Sequence, residues 1–186
     1  MHIALTGTPG TGKTTISTLL QNKHNITTIS LNDLALKNQF TIGKDPKRNS
    51  HILDLEKINH YINQTYPKTT HPLIFEGHAA HWLPMMDWII VLRCHPTTLQ
   101  QRLHQKHWDT HKIKENVEAE TIDLILCEAV DLHHSNNIIE LNTTTTPPEH
   151  TTTTIHTLIT NNFSNHTDYC PGSIDWTDIL LKNPDP

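Results

Sequence analysis

The stretch Gly7-Thr8-Pro9-Gly10-Thr11-Gly12-Lys13-Thr14-Thr15 holds three of the six glycines in a chain of 186 residues. Glycine is entropically costly, so a chain this poor in it places it where backbone geometry demands it. The spacing G-x-x-x-x-G-K-[ST] is that of a phosphate loop, whose backbone N–H groups form an anion nest. In such a loop Lys13 reaches the β- and γ-phosphates of a nucleotide and the Thr14 hydroxyl binds Mg²⁺. A second chemical signal is Glu76-Gly77-His78. An acidic side chain at the carboxyl end of an apolar strand near a phosphate loop holds Mg²⁺ through water, which makes Glu76 the candidate. His78, two residues on, could orient a water or touch the phosphates.

These residues need elements to hold them. His2–Thr6 is a short apolar run suited to a buried parallel strand, and Ile16, Leu19 and Leu20 recur at helical spacing just after Lys13, so the loop opens a helix whose N-terminus adds positive character. Further strands are expected at Thr27–Leu31, Pro72–Glu76, Trp88–Arg93 and Asn137–Leu141. Asp33–Leu36 starts a short helix. Leu55, Ile58 and Ile62 form one helix face, closed by Pro67, and Pro96 opens a helix carrying Leu99 and Leu103. A long helix follows, with Ile113, Val117, Ile122, Ile125, Leu126 and Val130 facing inward. A last helix begins near Pro147 and buries Ile155, Leu158, Ile159 and Phe163, although its four-threonine run argues against it. Strands alternating with helices predict an α/β fold with a parallel sheet, right-handed crossovers and a ligand site at the strands' carboxyl ends. The Gly7 loop, Glu76 and Arg93 fall at that edge. Residues 37–53, with Lys37, Lys44, Lys47, Arg48 and the breakers Gly43 and Pro46, read as a mobile cover over a substrate. Residues 164–186 read as a tail that packs by Trp176 or stays mobile, and Trp82, Trp88 and Trp108 read as core or lid packing.

At 21.3 kDa the chain fits one such domain. A net charge of −5 argues against direct binding to nucleic acid, while leaving a basic protein partner open. Cys94, Cys127 and Cys170 are odd in number and far apart, which suggests neither a disulfide framework nor a zinc ribbon, and the sixteen histidines show no recurring ligand spacing. No basic, cleavable leader and no apolar run of transmembrane length is apparent, so a cytoplasmic, membrane-free protein is expected.

Taken together, "ALTGTPGTGKTT", "DLA" at Asp33, "FEGHAAHWLP" at 75–84, "VLRCHP" at 91–96, "RLHQKHW" at 102–108 and "KIKENVEAE" at 112–120 resemble the adenylate kinase isoenzyme six family. These are atypical nucleoside monophosphate kinases whose archaeal members also act as ATPases in small ribosomal subunit maturation. The resemblance runs over residues 3–163. It implies a P-loop NTPase fold with a five-stranded parallel sheet flanked by helices, a nucleoside monophosphate (NMP) binding segment at about 30–53 and a lid at about 105–115. It also implies transfer of the γ-phosphate of Mg·ATP to AMP or a related NMP, ATPase activity, and a role in 16S rRNA maturation with a basic small-subunit platform protein. ATP contacts carry over to Gly10, Gly12, Lys13, Thr14 and Thr15, the family's D-x-H pair to Glu76 and His78, and the lid arginine and glycine to Lys106 and His107. With only Arg48, Arg93 and Arg102 in the chain, the phosphate clamp is expected to be weaker than in ordinary adenylate kinases. Glu115, Glu118, Glu120, Asp123 and Glu128 on the long helix offer an acidic face to a basic partner. Two other functions stay open: a different small-molecule P-loop kinase, and an assembly factor using ATP as a switch for partner release.

Overall fold

The computed structural model describes residues 1–45 and 50–182. Strand β1 (His2–Gly7) is followed by α1 (Lys13–His24), β2 (Thr27–Ser30) and α2 (Leu31–Lys37). A hairpin of β3 (Thr41–Asp45) and β4 (Ser50–Leu53) leads to α3 (Leu55–Thr65) and β5 (Leu73–Glu76). Next come β6 (Trp88–Arg93), α4 (Pro96–Gln105), α5 (Thr110–Thr121), α6 (Leu124–Leu132), β7 (Ile138–Asn142), α7 (Pro148–Thr160) and α8 (Thr177–Lys182). The main sheet has the order β2-β5-β1-β6-β7, and each of its pairings is parallel. Among the described residues no helix is long and apolar enough to cross a membrane.

Period-2 alternation divides the strand residues between two cores. Ala4, Phe75, Ile89 and Val91 face a cluster with Leu31 and Leu34 of α2, Ile58 and Ile62 of α3, and Leu126 of α6. Ile3, Leu5, Ile74, Ile90 and Leu92 face the opposite cluster, with Ile16 and Leu20 of α1 and Ile155, Leu158 and Ile159 of α7. Every residue of β1 is buried, which seats the start of the phosphate loop at the centre of the sheet. The threonine run does not prevent α7, because Thr152, Thr153 and Thr154 each donate a hydroxyl proton to the carbonyl four residues earlier. Those bonds satisfy the hydroxyls within the helix.

Three expectations need correction. The long helix after residue 112 is two helices: Asp123 takes a left-handed conformation at φ 57° between α5 and α6, a state that aspartate tolerates better than most residues. The break turns Ile122 and Val130 outward, to 57% and 41% exposure. The acidic face is also not there as drawn. Glu120 is buried, Asp123 pairs with Arg93, Glu128 with the ring of His81, and Glu118 with Lys114. Arg93 does end β6 at the sheet's carboxyl edge, as expected, and its side chain, 2% exposed, turns into the protein. Part of the segment expected to be a mobile cover forms the antiparallel β3–β4 pair, while Pro46, Lys47 and Arg48 lie outside the described residues.

Arg93 is the hub of a buried ion cluster. Its Nε donates to Glu120 Oε1 at 2.9 Å, Nη1 donates to Glu140 on β7, and Nη2 donates to Asp123. Burial pulls the guanidinium's pKa down, but Glu120, Asp123 and Glu140 together hold it above its ordinary value. Glu140 also accepts from the backbone N–H and hydroxyl of Ser173, and Trp176 Nε1 donates to Glu120 Oε1 at 3.4 Å. The tail therefore packs through Trp176, the first of the two options the sequence leaves open. Removing the cation strands buried carboxylates, so Arg93→Ala is expected to lower stability by about 3–5 kcal/mol in urea unfolding. An unchanged midpoint would show that the cluster does not hold the fold.

Candidate active site

The loop between β1 and α1 is closed tightly around its own backbone. Gly7 adopts φ 137°, and a Cβ there would stand 2.3 Å from the carbonyl oxygen of Leu92 on β6. Gly10 adopts φ 99°, and a Cβ there would meet Leu99 and Leu103 of α4 at 2.8 and 3.0 Å. No side chain fits at either place, which accounts for two of the glycines in so glycine-poor a chain. Gly12 caps the N-terminus of α1, and the helix begins at Lys13.

Lys13 lies folded into the loop, with Nζ donating to the carbonyls of Gly7 at 2.6 Å and Thr8 at 3.2 Å. Burial pulls its ammonium down from 10.5 to about 8, with Lys106 adding to the pull and Glu76 and Glu120 opposing it. Glu76 ends β5, hydrogen-bonded in register beside β1 and β2. Burial pushes its carboxyl above the ordinary value, Asp33 adds to that push, and Lys13 and the Thr14 hydroxyl act against it. A half-buried carboxylate with the Thr14 hydroxyl acting on it is a hard-oxygen donor pair of the kind Mg²⁺ takes, usually with several of its waters kept. The residues present thus fit a hydrated Mg²⁺ carried by a nucleotide.

Lys13, Thr14, Thr15, Glu76 and His78 line one cavity of about 750 Å³. His78 is exposed there, and its carbonyl oxygen lies 3.2 Å from Thr6 Oγ1. A smaller cavity of about 280 Å³ shares Gly10, Gly12, Thr15 and Lys106 with the first. Its lining also includes Arg102, which opens the RLHQKHW stretch, and Thr143, Thr146 and Thr151, which the sequence shows only as threonine-rich composition. Arg102 is fixed there by donating to the carbonyls of Thr143 at 2.7 Å and Thr144 at 3.1 Å. Lys106 follows α4, and His107 takes φ 56°, the left-handed conformation that suits glycine best. The turn is packed beneath by Leu99, Leu103 and Ile113, with Trp108 against them. Trp82, expected to be core or lid packing, is 47% exposed and lines the larger cavity.

A phosphate loop at the centre of a five-stranded parallel sheet, with an acidic strand end beside it, defines a P-loop NTPase fold of the nucleoside monophosphate kinase type. The comparisons carry this further. A family model described as an AAA domain matches residues 3–123. A Methanosarcina acetivorans protein named "Putative adenylate kinase" is 37% identical over 97% of this chain and 100% of its own length. Proteins of the same name from Methanocaldococcus jannaschii and Pyrococcus furiosus are 34% and 36% identical, each over 96% of this chain and over 94% and 93% of their own lengths. The chain belongs to this archaeal family. Among solved structures, a shikimate kinase from Acinetobacter baumannii aligns with a TM-score of 0.60 at 15% identity over 88% of this chain and 95% of its own, a likeness of fold alone.

The buried Lys13 has a consequence for stability. Its folded pKa lies below its unfolded one, so folding is penalised for carrying the charge below pH 8, and the penalty fades as pH rises from about 8 toward 10.5. Lys13→Met is therefore expected to be more stable than the parent at pH 7, by on the order of 1–3 kcal/mol, with the gain shrinking by pH 10. Urea midpoints of both proteins at the two pH values check this, and a less stable variant at pH 7 would contradict it.

Proposed function

We propose that this protein is a nucleoside monophosphate kinase that transfers the γ-phosphate of Mg·ATP to AMP or a related NMP. The observation that carries the reading is the opening of Lys13, the Thr14–Glu76 pair and a roomy, partly apolar far end into a single cavity. The phosphate loop backbone and Lys13 hold the β- and γ-phosphates, and Thr14 with Glu76 holds the Mg²⁺ that arrives with ATP, Glu76 through water. Mg²⁺ supplies neutralisation of the β- and γ-oxygens. The smaller cavity, reached past Gly10, Gly12 and Thr15, is where the donor's nucleoside goes. Lys106 stands at the junction of the two cavities and contributes positive charge from the lid, residues 105–115. Residues 30–53 are the acceptor-binding segment of a kinase domain of residues 1–163, and the tail, residues 164–186, is tied to that domain by Ser173 on Glu140 and Trp176 on Glu120.

In the transfer, an oxygen of the acceptor's phosphate bonds to the γ-phosphorus as the bond to the β–γ bridging oxygen breaks. That acceptor oxygen is largely unprotonated at neutral pH, so no general base is required. The protein's work is to position two nucleotides in line and neutralise charge.

A second reading, ATP hydrolysis in a ribosome-maturation factor, is favoured by one observation: His78 is exposed in the same cavity two residues beyond Glu76, where it can orient a water. Coupled to a basic platform protein, such hydrolysis would act as a release switch. The dispersed carboxylates of α5 and α6 give that partner no single acidic face.

Measuring ADP formation from ATP with each nucleoside monophosphate tests the first reading. Lys13→Met is expected to lower transfer by about a thousandfold or more, and Glu76→Gln by about a hundredfold, since each removes stabilisation of the transferring phosphate. No ADP from any NMP would overturn the kinase reading. His78→Ala is expected to reduce ATP hydrolysis at least tenfold while transfer to an NMP falls far less. Equal losses in both would remove the water-orienting role.

A further inference from the structure

The larger cavity ends in chemistry that phosphates do not need. Trp82 closes the short 3-10 helix Ala80–Trp82, six residues beyond Glu76. Its neighbours Ala80 and His81 are buried, so the turn is pinned, yet the indole is left 47% exposed and lines the cavity. Leu124, at the start of α6, the helix packed against that turn, is 41% exposed and lines the same cavity together with Leu55 and Ile125. An indole face flanked by aliphatic side chains suits a flat ring.

Beside this platform stands a fixed acceptor of hydrogen bonds. Glu128 on α6 lines the cavity with its side chain 31% exposed. The ring of His81 lies between Glu128 and β1, with Nε2 3.0 Å from Glu128 Oε2 and Nδ1 3.0 Å from Thr6 Oγ1. Burial pulls His81 below its ordinary pKa, against the pull of Glu128, so the neutral ring donates from Nε2 to the carboxylate and accepts from the Thr6 hydroxyl. His133 ties the same turn to α6 by donating from Nε2 to the His81 carbonyl at 2.6 Å. An ionised carboxylate can only accept, so it pairs with an amino group and repels a keto oxygen.

We propose that Trp82 and Glu128 form the base site of the phosphate acceptor, with the base stacked on the indole and its exocyclic amino group donating to the carboxylate, so that amino-bearing bases are selected over their keto counterparts. His81 is the positioning residue that aims Glu128. This rests on the reading of the chain as a nucleoside monophosphate kinase.

The test compares AMP with IMP, and CMP with UMP, as acceptors for the full-length parent, Trp82→Ala and Glu128→Gln. The parent is expected to favour the amino-bearing member of each pair by about tenfold to a hundredfold in kcat/KM. Trp82→Ala is expected to raise the KM for AMP by about tenfold to a hundredfold with kcat and the KM for ATP changed less than threefold. Glu128→Gln can donate as well as accept, so the AMP preference over IMP should collapse to within about threefold. AMP binding without ATP should alter tryptophan fluorescence in the parent, and Trp82→Phe should abolish the change while still binding AMP by calorimetry. An AMP KM unmoved in Trp82→Ala, or equal use of AMP and IMP by the parent, would overturn the base site. If no acceptor is phosphorylated by the parent, the kinase reading fails, and calorimetry of AMP and IMP on the same three proteins decides the base site by itself.

Discussion

The contact between the Arg93 guanidinium and the Glu120 carboxylate does more than join a strand to a helix. Glu120 Oε1 accepts from Arg93 Nε and from the backbone N–H of Cys94, and Oε2 accepts the hydroxyl proton of Thr8 in the phosphate loop. Arg93 reaches on to Glu140 of β7 and to Asp123 at the joint of α5 and α6, while Trp176 lays its ring 5.8 Å from the guanidinium carbon. One buried cation thus fixes the loop, the strands β6 and β7, the helices α5 and α6 and the tail relative to one another. Such a cluster is expensive to desolvate and strongly destabilising to break, which makes it a device for one arrangement more than for raw stability. Through Thr8 the cluster reaches the phosphate loop itself, the part of the site whose backbone must hold its shape.

The cost of the site itself appears at Lys13. A lysine buried against two backbone carbonyls is poised with more charge than its surroundings satisfy. Phosphate oxygens would restore the missing counter-charge, so binding of a nucleotide and relief of the buried ammonium are the same event. Glu76 carries the complementary strain, a carboxyl pushed up by burial that a divalent cation would relieve. Opposite strains placed on either side of Thr14 prepare the site for a ligand bearing both an anion chain and a metal.

How far the sequence reveals this depends on the distance over which each signal acts. The loop, the strand before it and the helix after it are written in a dozen consecutive residues, and Glu76 at the end of an apolar run is as local. The break at Asp123 is not visible, because Thr121-Ile122-Asp123-Leu124 contains no glycine or proline and the helical period runs through it. Reading Glu120 and Asp123 as solvated is the ordinary expectation for carboxylates, and only the approach of Arg93, 27 and 30 positions earlier, overturns it. Trp82 misleads in the other direction: an aromatic among alanines and a leucine reads as core, and only the fold shows the turn presenting it to the cavity. Lys106 and His107 stand where the resemblance puts an arginine and a glycine, and His107 keeps the backbone conformation of the glycine at φ 56°.

The shortage of arginine then has a structural answer. Arg93 is spent on the internal cluster, and Arg102 donates to the carbonyls of Thr143 and Thr144 at the wall of the smaller cavity. Neither guanidinium, so engaged, can also grip a transferring phosphate as a bidentate fork. Among the described residues, the cations lining the larger cavity are Lys13, Lys106 and Lys112, point charges that neutralise without fixing orientation. Lys112 Nζ lies 4.4 Å from the centre of the Trp108 ring, which holds the ammonium beside another residue of the cavity wall. With lysines in place of forks, alignment of two nucleotides must come from elsewhere: from the backbone of the phosphate loop at one end, and from shape and stacking at the other. In the proposed transfer between two nucleotides, a chain built this way would gain more from gripping its substrates' rings than one that clamps their phosphates, and its selectivity would be set far from the bond being broken.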